Sequence, residues 1–85
     1  MAEYKIFFKR SAVKDLNLIP KKDLQRTIKR IESLAKDPRP AGCEKLTGQN
    51  RYRIRQDNYR ILYSIQDKDL TVWAVKIGRR RDVYR

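Results

Sequence analysis

The sequence predicts an α+β fold in which a strand, two helices and three further strands follow in that order, as an antiparallel sheet with both helices on one face. Alternation of apolar and polar side chains in residues 4–9 and 51–65 indicates strands, because successive strand side chains point to opposite faces. Apolar residues spaced by three or four positions between these segments indicate helices. The chain has 85 residues, so we expect one domain, residues 1–85, with a small core.

The first strand is predicted from Tyr4 to Lys9, where every second side chain is apolar. Ser11 is expected to cap the first helix, because its hydroxyl can accept a hydrogen bond from a backbone N–H of the first turn. This helix is short. It is expected to end at Ile19, since the residue before a proline, here Pro20, is disfavoured in helical conformation.

The second helix is predicted to begin at Pro20, because proline suits the first turn of a helix. Its apolar face consists of Leu24, Ile28, Ile31, Leu34 and Ala35. Its opposite face is basic and consists of Lys21, Lys22, Arg26, Lys29 and Arg30. That basic face has two interpretations, a solvated surface or a contact for phosphates. Two prolines and Gly42 then predict a loop over residues 37–42.

The middle of the chain is predicted to form a β-hairpin from Arg51 to Tyr63. Tyr52 and Ile54 can enter the core while the arginines at positions 51, 53 and 55 line the other face. The turn is expected at residues 56–58. The apolar face of the returning strand consists of Tyr59, Ile61, Tyr63 and Ile65. We expect the hairpin tyrosines to be core or rim residues and not platforms for stacked bases.

A last strand is predicted from Leu70 to Ile77, after a turn at residues 67–69. It is rich in β-branched and aromatic residues, which predicts deep burial, and Trp73 is expected in the core. Gly78 is expected to end the strand and release a polar tail.

The charge of the chain indicates an acidic partner. Lys and Arg number 22 against 10 Asp and Glu, a formal net charge of +12. Nucleic acid is the first candidate, because neutralised phosphates release counterions; an acidic protein is the second and a membrane surface the third. No apolar run approaches the ~18 residues of a membrane span, and no signal peptide is evident, so we expect a cytoplasmic protein without a membrane partner.

Most catalytic and metal-binding patterns are absent from the sequence. It contains no His and a single cysteine, Cys43, so no zinc ligand set and no internal disulfide can form. The sequence also has no glycine-rich phosphate loop and no nucleophile elbow. We expect no cofactor and no metal. Arginines remain, in the hairpin and in the tail, and they either converge to stabilise a phosphorane or form a general basic patch.

Two segments resemble a known family, the RelE branch of the RelE/ParE toxin superfamily. The first is the hairpin, with its Asp-x-Tyr-Arg-Ile-Leu-Tyr return, and the second is the ending Arg79-Arg80-Arg81-Asp82-Val83-Tyr84-Arg85. The resemblance implies the RelE-like microbial ribonuclease fold and a toxin of a type II toxin–antitoxin system. It further implies a metal-independent endoribonuclease that cuts mRNA in the ribosomal A site through attack of the 2′-hydroxyl on the adjacent phosphate.

The same resemblance implies the site residues and the partners. The family's catalytic positions fall on Arg53, Arg55, Arg60, Arg80 and Tyr84, and further RNA contacts are expected from Lys45, Arg51, Arg79, Arg81 and Arg85. The implied partners are the 70S ribosome A site with its mRNA and rRNA, and an acidic, RelB-like antitoxin that forms a hetero-oligomer with the toxin.

The general base is left open by two departures from the family pattern. Arg53 and Arg55 stand where some relatives carry lysine, and an arginine cannot deprotonate a hydroxyl. Arg79 stands where the family often has histidine. Tyr84 becomes the leading base if nearby guanidinium groups lower its pKa; alternatively, positioning and charge stabilisation act without a strong base. A ParE-like DNA gyrase poison and a non-catalytic rRNA-binding protein are the alternative functions.

Overall fold

The computed structural model describes residues 3–46 and 50–79. These residues form a five-stranded sheet with the strand order β1-β5-β4-β3-β2, which confirms the predicted strand and helix order and adds one short strand. The elements are β1 (Lys5–Phe8), α1 (Arg10–Asn17), α2 (Lys21–Ser33), β2 (Glu44–Lys45), β3 (Arg51–Gln56), β4 (Tyr59–Gln66) and β5 (Thr71–Arg79).

The two faces of the sheet differ in composition, as the alternation in the hairpin predicts. Tyr52 and Ile54 of β3 are buried, and they lie opposite Tyr63 and Ile61 of β4. These four residues share the core with Ala12 and Ile19, and with Ile31 and Leu34 at the end of α2. We call this side the helix face. The other side, on which the side chains of β3 residues 51, 53 and 55 lie, is the open face.

The hairpin turn has the expected position and a simple geometric cause. Gln56 and Tyr59 are the last paired residues of β3 and β4, so the turn proper has only two residues, Asp57 and Asn58. Asp57 has a φ of 55°, a left-handed backbone angle that two-residue hairpin turns use at their first position and that Asp tolerates better than most residues. The turn holds the two strands in the register that aligns their arginines.

The sheet is antiparallel as predicted except for one pair, because β1 runs parallel to β5. The connection between these strands contains both helices and the hairpin, and a connection of that length lets two neighbouring strands run in the same direction. The two-residue strand β2 was not predicted. It pairs with β3 across the loop that follows α2, and a strand so short leaves no periodic pattern in the sequence.

The predicted cap of α1 is also wrong. The N-terminal cap residue is Lys9, and Ser11 donates its hydroxyl hydrogen to the carbonyl oxygen of Val75 at 2.5 Å. One turn later, Asp15 Oδ2 accepts the backbone N–H of Ile77 at 2.9 Å. These two bonds satisfy backbone groups of β5 beyond the end of β1, so α1 covers that part of the strand's edge.

The last strand differs from its prediction in length and in burial. Gly78 and Arg79 both belong to β5, because Arg60 and Tyr59 of β4 still pair with these residues. Trp73 is not in the core. Its register partner on β1 is Phe7, which is 43% exposed, so the indole lies on the open face. Residues 72–75 are all apolar, and such a run does not reveal which side chains point inward.

The loop between α2 and β2 is tied to the sheet by side chains. The Tyr63 hydroxyl donates to the carbonyl oxygen of Pro38 at 2.7 Å, in a buried position. The Arg39 guanidinium donates to both carboxylate oxygens of Asp67, at 3.2 and 2.9 Å, and Tyr4 donates its hydroxyl hydrogen to the same carboxylate at 2.7 Å.

No helix within residues 3–46 and 50–79 has the length and apolar character that crossing a membrane requires.

Candidate functional site

Three of the predicted site residues come together on the open face of the hairpin. Arg55 and Arg60 are directly opposite each other on β3 and β4, and side chains of such a pair share a face and lie close together. Arg53 is two residues before Arg55, so it points to the same face. The short turn of the hairpin therefore produces a cluster of three guanidinium groups, which we call the arginine cluster (Arg53, Arg55 and Arg60).

Arg60 differs from the other two in its burial, because its side chain is 0% exposed. The strand β5 lies beside it, and its partner there is Gly78, which has no side chain to occupy the space over the sheet. A charge shielded from water acts more strongly on a nearby opposite charge than a charge at the surface.

Glu44 is part of the same cluster and was not among the predicted site residues. It lies opposite Arg53 in the β2–β3 pair, and its Oε2 accepts a hydrogen bond from Arg53 Nη2 at 2.6 Å. This bond, and after it the positive charges of Arg53, Arg55 and Arg60, lowers the pKa of Glu44. The pKa of the carboxylate is therefore lowered by all three arginines. This contact depends on the pairing of β2 with β3, which the sequence pattern did not predict.

The other predicted RNA contacts are distributed over both faces. Arg51 is exposed on the open face, opposite Ser64. Lys45 is paired with Tyr52 and Arg79 with Tyr59, and both tyrosines belong to the helix face, so neither cation lies beside the arginine cluster. Arg80, Arg81, Tyr84 and Arg85 lie outside the described residues.

The basic face of α2 is also remote from the arginine cluster. The helix packs on the helix face, whereas the arginine cluster lies on the open face. Arg26 forms an ion pair with Asp57 of the hairpin turn at 3.6 Å, with both side chains largely exposed.

In the described part of the chain, no group of three or more His, Cys, Asp or Glu residues could hold a metal ion.

The arrangement is suited to binding phosphate groups and stabilising added negative charge. Each guanidinium offers several N–H donors in a plane, which matches the oxygens of a phosphate. Arg55 and Arg60 are on paired strands. The hydrogen bonds of the sheet fix the backbone that carries them, so little rearrangement of that backbone is needed when charge develops on a substrate. Phosphate binding by Arg53 would compete with its bond to Glu44.

Comparisons with known proteins place the chain in a family. The family model described as the ParE toxin of the type II toxin-antitoxin system, parDE, matches residues 6–84. Toxin RelG of Mycobacterium tuberculosis is 29% identical over 86 residues, which cover 96% of this chain and 97% of that protein.

Solved structures show the same fold. The toxin–antitoxin complex RelBE2 of Mycobacterium tuberculosis contains a chain with a TM-score of 0.83 and 26% identity, over 96% of this chain and 97% of that one. The RelE–RelB complex of Pyrococcus horikoshii contains one with a TM-score of 0.83 and 28% identity, over 94% and 98%. The isolated Escherichia coli RelE toxin, at 24% identity, has a TM-score of 0.78 over 95% and 90%. The chain therefore belongs to the RelE/ParE superfamily of type II toxin–antitoxin toxins and is of the RelE type.

Proposed function

We propose that this toxin is a ribosome-dependent endoribonuclease that cleaves mRNA in the ribosomal A site and so inhibits translation. The observation that carries the proposal is the arginine cluster, in which Arg55 and Arg60 are cross-strand neighbours and Arg53 lies beside them. A protein that only docks onto another protein has no evident need for like charges placed directly opposite each other, since such a pair destabilises a sheet. A phosphate bound between the guanidinium groups would offset their like charges.

In the proposed reaction the 2′-oxygen of one nucleotide forms a bond to the adjacent phosphorus, and the bond from phosphorus to the 5′-oxygen of the next nucleotide breaks. The proton of the 2′-hydroxyl leaves to a base or to water, and the departing 5′-oxygen takes up a proton. The products are a 2′,3′-cyclic phosphate and a free 5′-hydroxyl. Arg55 and Arg60 stabilise the extra negative charge of the pentacoordinate phosphorane, and Arg53 holds the substrate phosphate.

Arg80 and Tyr84 complete the proposed site, on the strength of the family motif in the tail. Tyr84 is the proposed proton acceptor, because a guanidinium keeps its proton at any physiological pH. The alternative without a strong base remains part of the proposal: the ribosome holds the mRNA in the reactive geometry, and the arginines supply charge.

The proposed protein partner is an acidic, RelB-like antitoxin. Two observations support it. The first is the formal net charge of +12, which an acidic protein would offset. The second is that similar chains from Pyrococcus horikoshii and Methanococcus jannaschii belong to RelE–RelB complexes. The toxin and its antitoxin would form a hetero-oligomer in which the antitoxin keeps RNA from the arginine cluster. A cytoplasmic location follows from this function.

Mapping of mRNA 5′ ends in a translation extract tests the proposal. We expect cuts in phase with codons for the wild-type protein, and a loss of about 100-fold or more in rate for Arg55→Ala and Arg60→Ala, because each removes a donor for developing charge. Lys29→Gln, on the exposed side of α2, is the matched control and should cut at the wild-type rate. Unchanged cleavage by an Arg80→Ala, Tyr84→Phe double variant would overturn the roles of those two residues.

A ParE-like gyrase poison is the second candidate, because the family model that matches is described as a ParE toxin. That function requires a protein-binding surface and no RNA chemistry. Linear plasmid covalently linked to gyrase, together with intact mRNA, would establish it in place of the ribonuclease. Tight ribosome binding without mRNA cleavage and without gyrase-linked plasmid would instead indicate a non-catalytic rRNA-binding protein.

A further inference from the structure

A second feature of the open face is an aromatic pair on the neighbouring strands β1 and β5. Phe7 and Trp73 are directly opposite each other, and their rings stack with centroids 5.0 Å apart and an angle of 30° between the planes. The ammonium nitrogen of Lys9 lies 4.5 Å from the centroid of the Trp73 ring. We call these three residues the aromatic platform.

The platform is not explained by the packing of the core. Phe7 is 43% exposed and neither ring belongs to the core cluster, which the helices cover from the other side of the sheet. Phe7 is left exposed beside a half-buried Trp73, and the exposed part of the pair forgoes the stabilisation that burial would provide. Two aromatic residues next to each other on an open surface therefore indicate that something binds over them.

The register of the sheet connects the platform to the arginines. Arg51 is opposite Ser64, Ser64 is opposite Trp73, and Trp73 is opposite Phe7. These residues form one row across four strands on the open face. Neighbouring strands are about 4.8 Å apart, so Arg51 and Trp73 are on the order of 10 Å apart. One strand of nucleic acid can contact both and continue along β3 to the arginine cluster.

Aromatic rings beside cations are how proteins commonly hold unpaired nucleotides. Every base has a flat π face, so a ring binds it by stacking without regard to sequence, while cations hold the phosphates. Lys9 is already in position beside the rings, and Lys5, two residues before Phe7, points to the same side. An acidic peptide would satisfy the cations and would leave the aromatic surface without a function.

We propose that the aromatic platform binds an unpaired base of single-stranded RNA, with Lys9 and Arg51 holding the adjoining phosphates. The inference rests on the proposed ribonuclease function, since it extends the path of the RNA from the arginine cluster to the far end of the sheet. The platform is a binding subsite and takes no part in bond breaking.

Trp73 is the only tryptophan of the chain, so its intrinsic fluorescence reports on this site alone. The full-length protein is titrated with an oligodeoxynucleotide, which lacks the 2′-hydroxyl and cannot be cut, and in parallel with an abasic oligomer of the same number of phosphates. We expect the first to quench the fluorescence strongly and the second to quench it weakly, because only bases stack. Equal quenching by both would overturn the proposal. So would equal quenching by polyglutamate, which would assign the platform to an acidic protein.

Two variants keep Trp73 as the probe and change its surroundings. Phe7→Leu should weaken oligodeoxynucleotide binding about tenfold, in the range found for loss of one stacked base, and Lys9→Gln should weaken it less. The matched controls are Leu18→Ala, at an exposed apolar residue next to α1, and Lys29→Gln on α2; both should bind like the wild type. The midpoint of thermal unfolding verifies that each variant folds. Wild-type affinity of folded Phe7→Leu would contradict the inference.

Cleavage in the translation extract separates this inference from the function on which it rests. If the wild type cuts mRNA but bases do not quench Trp73, the function stands and the platform does not. If bases quench Trp73 but mRNA is intact, the platform is a nucleic-acid site of a protein that is not a ribonuclease.

Discussion

Arg60 is both fully buried and placed next to another cation. Its side chain is 0% exposed, and Arg55 is its direct cross-strand neighbour. Removing an ionised group from water costs free energy, and a like charge on the opposite residue adds to that cost. A residue at such a position can serve binding, catalysis or the packing of the fold, and a substitution that keeps its volume distinguishes these roles.

Replacement of Arg60 by methionine tests this interpretation. Arg60→Met keeps most of the side-chain volume and removes the cost of keeping a charge out of water, so we expect the free energy of unfolding to fall by no more than about 1 kcal/mol. Cleavage should fall about 100-fold. Denaturant unfolding and the rate of mRNA cleavage are measured on the same preparation. A loss of several kcal/mol in stability would show that Arg60 is chiefly structural.

Glu44 competes with phosphate for Arg53. Glu44→Gln removes the negative charge that the three arginines hold ionised, so the affinity for a single-stranded oligonucleotide should rise about two- to fivefold at low salt, as expected for the loss of one partly exposed ion pair. Fluorescence or anisotropy titration measures the affinity, and Glu32→Gln on the exposed side of α2 is the control. Weaker binding by Glu44→Gln would mean that Glu44 holds Arg53 in its binding position.

At the scale of elements, the loop after α2 sets the position of β2 and therefore of Glu44. Tyr63→Phe removes the hydroxyl that donates to the buried Pro38 carbonyl, and a buried carbonyl without a partner costs about 1–3 kcal/mol. We expect the free energy of unfolding to fall by that amount in a denaturant titration. Tyr52→Phe is the control, since its hydroxyl only receives a longer bond of 3.3 Å from Arg39 Nε. Equal stability of Tyr63→Phe and wild type would contradict this role of the hydroxyl.

The ion pair between the loop and the turn before β5 predicts a dependence of stability on pH. The hydrogen bond from Arg39, and after it the one from Tyr4, lowers the pKa of Asp67 below its usual 3.8. A lowered pKa in the folded state adds stability above the unfolded pKa, and this contribution is lost as pH falls through the folded pKa. The contribution should be small, because the Arg39 and Asp67 side chains are 42% and 57% exposed.

Asp67→Asn provides the measurement. Its midpoint of thermal unfolding should lie slightly below that of the wild type at pH 7, and the difference should disappear as pH falls below about 3.8. Asp69→Asn, in the same turn, leaves the Arg39 ion pair intact. Its difference from the wild type in the midpoint of thermal unfolding should therefore not shrink in this way as pH falls. A difference between Asp67→Asn and wild type that persists at pH 2 would have another cause.

At the scale of the whole molecule, the separation of the two faces predicts how RNA binding responds to salt. Core residues of the sheet and helices fill one side, so the exposed cations of the open face, such as Arg51 and Arg55, are available together to a single strand of nucleic acid. Each phosphate that they neutralise steepens the fall of log K with log salt by about 0.7. Arg51→Gln should make that slope shallower by about 0.7, whereas Lys29→Gln on α2 should leave it unchanged. A flat salt response of the wild type would argue against nucleic acid as the partner.

Much of the fold follows from local patterns that depend on neighbours in the chain. The alternation around Ile54 defines the hairpin and assigns its arginines to one face, because a strand has a period of two. The spacing of apolar residues defines α2, and the polar residues at 57 and 58 define the turn. The alternation assigns Arg53 and Arg55 to one face, but it left open whether the arginines converge; the register of the hairpin, with Arg55 opposite Arg60, decided that.

Other features were decided only by the tertiary structure, because they depend on which distant strands pair and in which register. The pairing of β2 with β3 brings Glu44 to Arg53 and sends Lys45 to the helix face. The parallel pairing of β1 with β5 places Trp73 beside Phe7. The sequence by itself determined that one sheet face carries arginines; the pairing of residues far apart in the chain decided which carboxylate and which aromatic rings share that face, and no local period encodes such a pairing.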